Sequence, residues 1–401
     1  MKEVIIFTGD PMRHVVALAQ HIGPRPSTGE GEAVAARYLA EEMRTWADNV
    51  RNEPFSAFTS FSWPWMLIYG AGLLAAALLW WWPPAALLLA VLAAWTYWQQ
   101  AAGRIELGYA FPKRVSQNII GLIRPSLARR RRLLLVAHFD SARSSLLWSP
   151  GQVRYFRGTF LLSALATGLV LLATLLSNLG YVAAPLHWAW WPGPVVWAIV
   201  AAPGGLDLLI ALLVLIHREA FCQVTPGAND NASGVAAALA ACEQLAAQRL
   251  EHTEVWCVGT GCEEVGMLGM RALLKAHRVD LSDAAIIVLD NLGKGQMKYT
   301  LGEGLLSVLP CDPRLVELAG GVARRHPQWN LGTSVNRLLP TDMGPALLEG
   351  YPAIGLRAED ERGLLPNWHW QTDTVDNVEP ANVGVAASFV VAMARALDAQ
   401  A

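Results

Sequence analysis

The chain has 401 residues, 53% of them hydrophobic and only 16% charged, against about 25% charged in an average soluble domain. A net charge of −2, with no Lys/Arg stripe interleaved with aromatics, excludes a nucleic-acid partner. Five scattered cysteines without a CxxC pair exclude a disulfide framework and a structural zinc site, and they fit reducing surroundings.

In chain order, "MKEVIIFTGDPMRH" holds too short an apolar stretch for a signal peptide. "TGEGEAVAARYLAEEMRTWA" has the spacing of an amphipathic helix, with Ser27 or Thr28 as its cap. Charge then nearly vanishes: Glu53 stands alone between Arg51 and Arg104. Residues 59–103 read as a hairpin of two helices broken at Pro83-Pro84, each about 17 residues and at the lower limit for crossing a bilayer. "RRRLLLVAHFD" is a buried strand ending at His138. A second hairpin, 151–216, follows, where Asp207 is the only charge between Arg157 and Arg218. Its apolar segments, 160–181 and 194–217, are long enough to span, and Pro203-Gly204-Gly205 should break or kink the second. Asp207 either packs against another span or marks a proton or substrate path.

Tryptophans at 63, 65, 80, 81, 82, 98, 188, 190 and 191 cluster at the segment ends, as an interfacial aromatic belt does. The hairpin tips carry no Lys or Arg, whereas the opposite ends carry Arg51, Arg104, Lys113, Arg114, Arg129–Arg132, Arg154, Arg157 and Arg218. The positive-inside rule then predicts an integral membrane protein with four spans and its polar part on the cytoplasmic face.

That polar part comprises residues 1–58, 104–150 and 217–401. It contains "GANDNASGVAAALA", in which Asp230 either caps a helix or holds something at its mouth. "EVWCVGTGCEE" ends a strand at Glu263 and Glu264, and "AAIIVLDNLG" ends another at Asp290. Short apolar runs alternating with helices predict an α/β fold: a mixed, mostly parallel sheet flanked by helices, with the two hairpins inserted into it. Ligands of such sheets bind beyond the carboxyl ends of the strands. An imidazole and several carboxylates standing there form a set that zinc accepts.

The ordered motifs "AHFD", "GANDNASG", "GCEEVGMLG", "VLDN" and "WHWQTDT" resemble metallopeptidase family 28, the co-catalytic di-zinc aminopeptidases. The opening "HIGPRPSTGEGEAVAARYLAEEM" is similar to that family's first helix and its lead-in. The resemblance covers the polar part and none of the apolar segments. It implies a zinc aminopeptidase-like fold, a peptide substrate and two zinc ions. His138 and Asp290 would hold one ion, Glu264 and His369 the other, and Asp230 would bridge them. Glu263 would be the general base for the attacking water, and Asp140 a carboxylate orienting the site. Cobalt or manganese would suit similar ligands. Two departures, Met343 in "PTDMGP" where the family often has His, and Met270 where Ser often follows the Glu pair, bear on the specificity pocket rather than on the metals.

The second hairpin lies between His138 and Asp230, so its root is expected near the rim of the site. Either it only anchors the enzyme in the bilayer, or it brings membrane-borne substrates to the cleft. Two other functions remain open: a glutaminyl cyclase-like aminoacyltransferase with one zinc, and a non-catalytic membrane scaffold retaining the fold.

Overall fold

The computed structural model describes residues 9–105, 107–183 and 192–400. Trp188, Trp190 and Trp191 of the expected aromatic belt, and most of the apolar stretch at the N-terminus, lie outside the described residues. In chain order the helices are α1 (Met12–Val16, continued by a π-helical turn over Ala17–Ile22), α2 (Glu30–Arg44), α3 (Ser62–Leu78), α4 (Pro83–Ala101), α5 (Phe156–Ala183), α6 (Pro194–Phe221), α7 (Ser233–Ala247), α8 (Leu268–Ala276), α9 (Pro313–Arg325), α10 (Met343–Leu348) and α11 (Pro380–Asp398). The strands are β1 (Asn49–Phe58), β2 (Lys113–Ile123), β3 (Arg131–His138), β4 (Thr253–Thr260), β5 (Ala284–Leu289), β6 (Gln296–Glu303), β7 (Leu309–Pro310), β8 (Gly332–Asn336) and β9 (Ala353–Glu359). The chain divides into two compact units: one runs to Thr59 and adds Pro112–Ser144 and everything from Gln223, and the other holds Ser60–Phe111 and Ser145–Cys222.

The first unit is built on one mixed sheet, ordered β1-β2-β4-β3-β5-β9-β6-β7 with β8 beside β6. Its centre, β4-β3-β5-β9, is parallel. The runs Leu133–Ala137 and Ala284–Leu289 are buried throughout, as strands covered on both faces require. α7 supplies part of that cover, and its small residues Ala236, Ala237 and Ala241 are fully buried in the core. The parallel strands all end on one side, and the loops that follow them carry the polar motifs.

Both insertions leave this unit where its backbone is already closed. Phe58 pairs with Lys113 at the open end of the antiparallel β1–β2 ladder, so 60–111 is that hairpin's loop. Arg143 and Val224 form an isolated antiparallel bridge, and the Ser144 N–H donates to Gln223 O, closing the neck of the second insertion.

The second unit packs α3 to α6 around its own apolar core, including Ile68, Tyr69, Tyr97, Val170, Ala173 and Leu208. Its polarity is arranged inside out. Leu88, Leu165, Ile199 and Leu206 face outward, while Ser163 is buried between Tyr69 and Tyr97 at 3.4 and 3.0 Å. Trp80, Trp81 and Trp82 are exposed at the α3–α4 turn.

Two expectations need correcting. Neither Ser27 nor Thr28 caps α2, whose N-cap is Gly29. Thr28 takes a left-handed φ of 61° and gives its N–H to Glu32 Oε2 at 2.8 Å. Glu32, in the first turn, thus reaches back to the residue before the cap, one position beyond a capping box. Nor does Pro203 break its helix: α6 runs through it. The adjacent glycines serve close packing, because a Cβ on Gly204 would lie 2.8 Å from Ala166 O. Three helical stretches are long and apolar enough to cross a membrane: Val153–Gly180, α6 and α11. α11, however, buries Val383, Ala386, Phe389 and Val390 in the core of the first unit. α3 is apolar but shorter.

Candidate metal centre

The registers of the parallel strands align the site. β3–β4 pairing sets His138 opposite Thr260, and the β3–β5 register, carried two residues beyond its last pair, sets it beside Asp290. Glu263 and Glu264 follow β4 after a sharp turn in which Cys262 has a φ of 55°. Asp230 enters from the loop before α7, and His369, itself at φ 52°, from the loop after β9. Six residues singled out in the sequence therefore meet: Nε2 of His138 is 3.2 Å from Asp230, 3.6 Å from Asp290 and 3.9 Å from Glu263. Nε2 of His369 is 3.0 Å from Asp230 and 3.2 Å from Glu264.

Candidate ligand atoms of His138, Asp230 and Asp290 lie within 4.8 Å of one another, as do those of Asp230, Glu264 and His369. The two trios share Asp230. Its two oxygens are divided between them, Oδ1 toward His138 and Oδ2 toward His369.

Asp230 does not cap α7: its φ and ψ, −113° and 89°, are not helical, and the bond to Asn231 is cis. Asn231 does that work, its Oδ1 accepting the N–H of Gly234 at 3.0 Å and of Asn291 at 3.2 Å. Two glycines make room for the turn. Gly227 has a φ of 65°, and a Cβ there would lie 2.6 Å from Asp230 O, while one on Gly234 would lie 2.5 Å from Leu289 O.

Asp140, the seventh predicted residue, is fully buried just behind this cluster. Oδ1 accepts the N–H of Glu263 at 3.1 Å, and Oδ2 accepts the N–H of Glu264 at 3.2 Å and the hydroxyl of Ser27 at 2.7 Å. Nδ1 of His138 stands 3.2 Å from the Asp140 main-chain O and 3.4 Å from its Oδ1, which together fix the ring and turn Nε2 toward Asp230.

The electrostatics show what the cluster lacks. Burial opposes charge on both imidazoles, yet the carboxylates prevail. Led by Glu263, they raise His138 well above its ordinary pKa, and, led by Glu264, they raise His369 to about 9. Burial pushes the Glu263 carboxyl well up; His138 opposes that, and Glu264, Asp342 and Asp290 add to it. Such a group has more acid here than base, an excess that a bound cation would balance.

Other buried groups hold the loops, and the motif residues alone did not reveal them. Asp373, within "WHWQTDT", accepts the backbone N–H groups of Asn229 and Asp230, and its carboxyl is pushed up to about 7, first by burial and then by Asp230. Arg25 is fully buried and donates to Phe139 O, Pro226 O and Gly227 O, tying the His138 and Asp230 loops together. Gln371, two residues past His369, donates to Ser144 Oγ and Gln223 O at the neck of the second insertion. Of the two departures, Met270 is buried in the core, and Met343 packs its sulfur 3.6 Å from Cys311 Sγ. Asp342 accepts from the Thr260 hydroxyl.

The peptidase family M28 model matches residues 212–394, the stretch that carries Asp230, the Glu pair, Asp290 and His369. Over that stretch the chain resembles peptidase family M28. Solved structures share the fold at low identity. A Zn-dependent exopeptidase from Parabacteroides distasonis is 16% identical over 97% of this chain and 98% of its own, with a TM-score of 0.57. A zinc aminopeptidase from Bacillus subtilis is 14% identical over 96% and 93%, with a TM-score of 0.56. A glutaminyl cyclase from Bacteroides thetaiotaomicron is 14% identical over 96% of each chain, with a TM-score of 0.55. No curated protein matches the sequence.

Proposed function

We propose that this chain is a membrane-anchored di-zinc exopeptidase that removes N-terminal residues from peptides, with Glu263 as general base. The observation that carries the reading is the pair of ligand trios hinged on Asp230. His138 and Asp290 would hold one zinc, Glu264 and His369 the other, and Asp230 both. The donors fit: all are nitrogen or carboxylate oxygen, the residue types that bind zinc. Glu264 Oε1 is also buried with no hydrogen-bond partner among the described residues, a costly state unless a cation meets it.

Zinc held there would supply a Lewis acid for the scissile carbonyl and would ease deprotonation of water, from a pKa of 15.7 toward about 7. Glu263 takes the proton of the attacking water and returns it to the leaving amine, a role worth about 10²–10⁴-fold. Asp140 is a positioning residue, fixing the His138 ring and the backbone from which both glutamates project.

Helices α3–α6 would be the four spans. Their outward leucines and inward small and hydroxyl residues suit a lipid surround, and the arginines at their base would keep the peptidase unit cytoplasmic.

The test is release of free amino acids from a mixed peptide pool by the purified full chain in detergent, with metal counted by elemental analysis. Two zinc ions per chain and release that is lost in Glu263→Ala, with zinc retained, are expected. The glutaminyl cyclase among the structural neighbours keeps a second reading open. One zinc per chain, with ammonia released from N-terminal glutamine, would favour it. A protein that binds no zinc would end both.

A further inference from the structure

The row of residues that carries His138 and Asp290 continues past the metal centre. Leu289 pairs with Leu356, and Asp290 N–H donates to Leu356 O, so the next residue of β9, Arg357, stands level with Asp290. Antiparallel pairing with β6 then sets Lys298 beside Arg357. Level residues on paired strands project from the same face. One row thus runs Thr260, His138, Asp290, Arg357, Lys298 across five strands.

The cations of this row exceed their partners. Arg357 is 5% exposed, and its buried Nε makes no hydrogen bond among the described residues. Its Nε lies 3.2 Å from Glu359 Oε1, while the other oxygen of that carboxylate holds Lys298 Nζ at 2.9 Å. Two cations therefore share one anion. Glu303, also buried, accepts instead from Thr341 and Asn336. Asp290 is 3.6 Å from His138 and accepts from Asn291. A guanidinium has five donors in a planar fork that matches a carboxylate, and donors left unmade in a buried place cost free energy.

We propose that Arg357 reads the side chain of the substrate's first residue, and that this peptidase selects peptides beginning with glutamate or aspartate. The proposal rests on the exopeptidase reading. With the scissile bond at the two-metal centre, the N-terminal side chain lies alongside Asp290. Neighbouring strands are about 4.8 Å apart, a distance a glutamate side chain covers. An apolar side chain would leave the guanidinium without an added partner, and that mismatch is how a polar pocket rejects the wrong substrate.

The experiment compares kcat/KM of the zinc-loaded full chain in detergent for the p-nitroanilides of glutamate, aspartate, leucine and lysine. Beside it, calorimetry compares binding of free L-glutamate and L-leucine. The wild type should prefer the acidic substrates and bind glutamate more tightly than leucine. Arg357→Gln should lower kcat/KM for glutamate roughly 10–100-fold more than for leucine, and should abolish the preference in binding. Arg357→Lys, which keeps the charge and loses the fork, should fall between, and serves if the glutamine variant does not fold. Wild-type preference for leucine or lysine, or equal losses on both substrates, overturns the proposal and leaves the exopeptidase reading intact. Arg357-dependent glutamate binding without cleavage of any substrate refutes the exopeptidase reading instead. No glutamate preference in either arm refutes the role of Arg357.

Discussion

Asp140→Asn separates positioning from coordination, because the side chain touches no substrate in the proposed reaction. In the native chain two carboxylate oxygens face three donors: the N–H groups of Glu263 and Glu264 and the Ser27 hydroxyl. Asparagine keeps one acceptor. If that oxygen stays on Glu263 N–H, the new NH₂ group points at the Glu264 N–H; the serine can rotate to accept, but the amide cannot. One buried donor is left unmade, at a cost of about 1–3 kcal/mol. The carboxylate oxygen 3.4 Å from His138 Nδ1 also loses its charge while the main-chain partner stays, and losses of this kind weaken metal binding about 10–100-fold. The assays are zinc competition against a chelator and thermal melting of the zinc-loaded chain. Weaker zinc binding is expected, together with a lower melting temperature and loss of peptide hydrolysis that excess zinc partly restores. Wild-type zinc affinity in a folded Asp140→Asn protein would refute the assignment. Lost activity with unchanged zinc affinity would move Asp140 from the metal to the base.

Three further outcomes are expected. Asp373→Ala removes the acceptor for two buried N–H groups beside Asp230, so it should destabilise the fold by about 2–5 kcal/mol and lower zinc stoichiometry, which melting and elemental analysis check. Glu303, buried, has its carboxyl pushed up to about 7. The wild-type stability advantage of its neutral form is complete below the unfolded value near 4.5 and lost as pH rises through 7, so Glu303→Gln should melt higher than wild type at pH 8 and no higher at pH 4.5; a gap that widens toward acid would contradict this. In cells the full chain should sediment with membranes and resist alkaline extraction, and recovery in the soluble fraction would refute the four-span anchor.

The candidate site was legible in the sequence because its residues stand where apolar strands stop. His138 and Asp290 end buried parallel strands, so a one-dimensional pattern fixed their level in three dimensions. Asp373, Arg25 and Glu32 were harder to read, because they hold backbone groups far away in the chain and such bonds leave no periodicity. Ser27 misled as a helix cap for a related reason: a hydroxyl next to a helix start has the right chemistry, but Asp140, distant in sequence, takes it. α11 shows the limit of hydropathy. Its alanines and valines suit a bilayer by composition, yet they pack beneath the sheet. Arg357 stood inside the apolar strand "YPAIGLRAED" and attracted no notice until the register placed it beside Asp290.

The closed necks at Phe58–Lys113 and Arg143–Val224 have an architectural consequence. Each insertion begins and ends at points that the first unit already holds together, so its length weighs little on the folding of that unit. Closure entropy grows only logarithmically, by about 0.6 kcal/mol per doubling of a loop. The apolar hairpins are in this sense interchangeable parts: a tight turn at each neck would complete the same sheet and the same metal-ligand geometry. If the hairpins are the proposed membrane anchor, a lineage could acquire or shed that anchor at these two positions without renegotiating the chemistry.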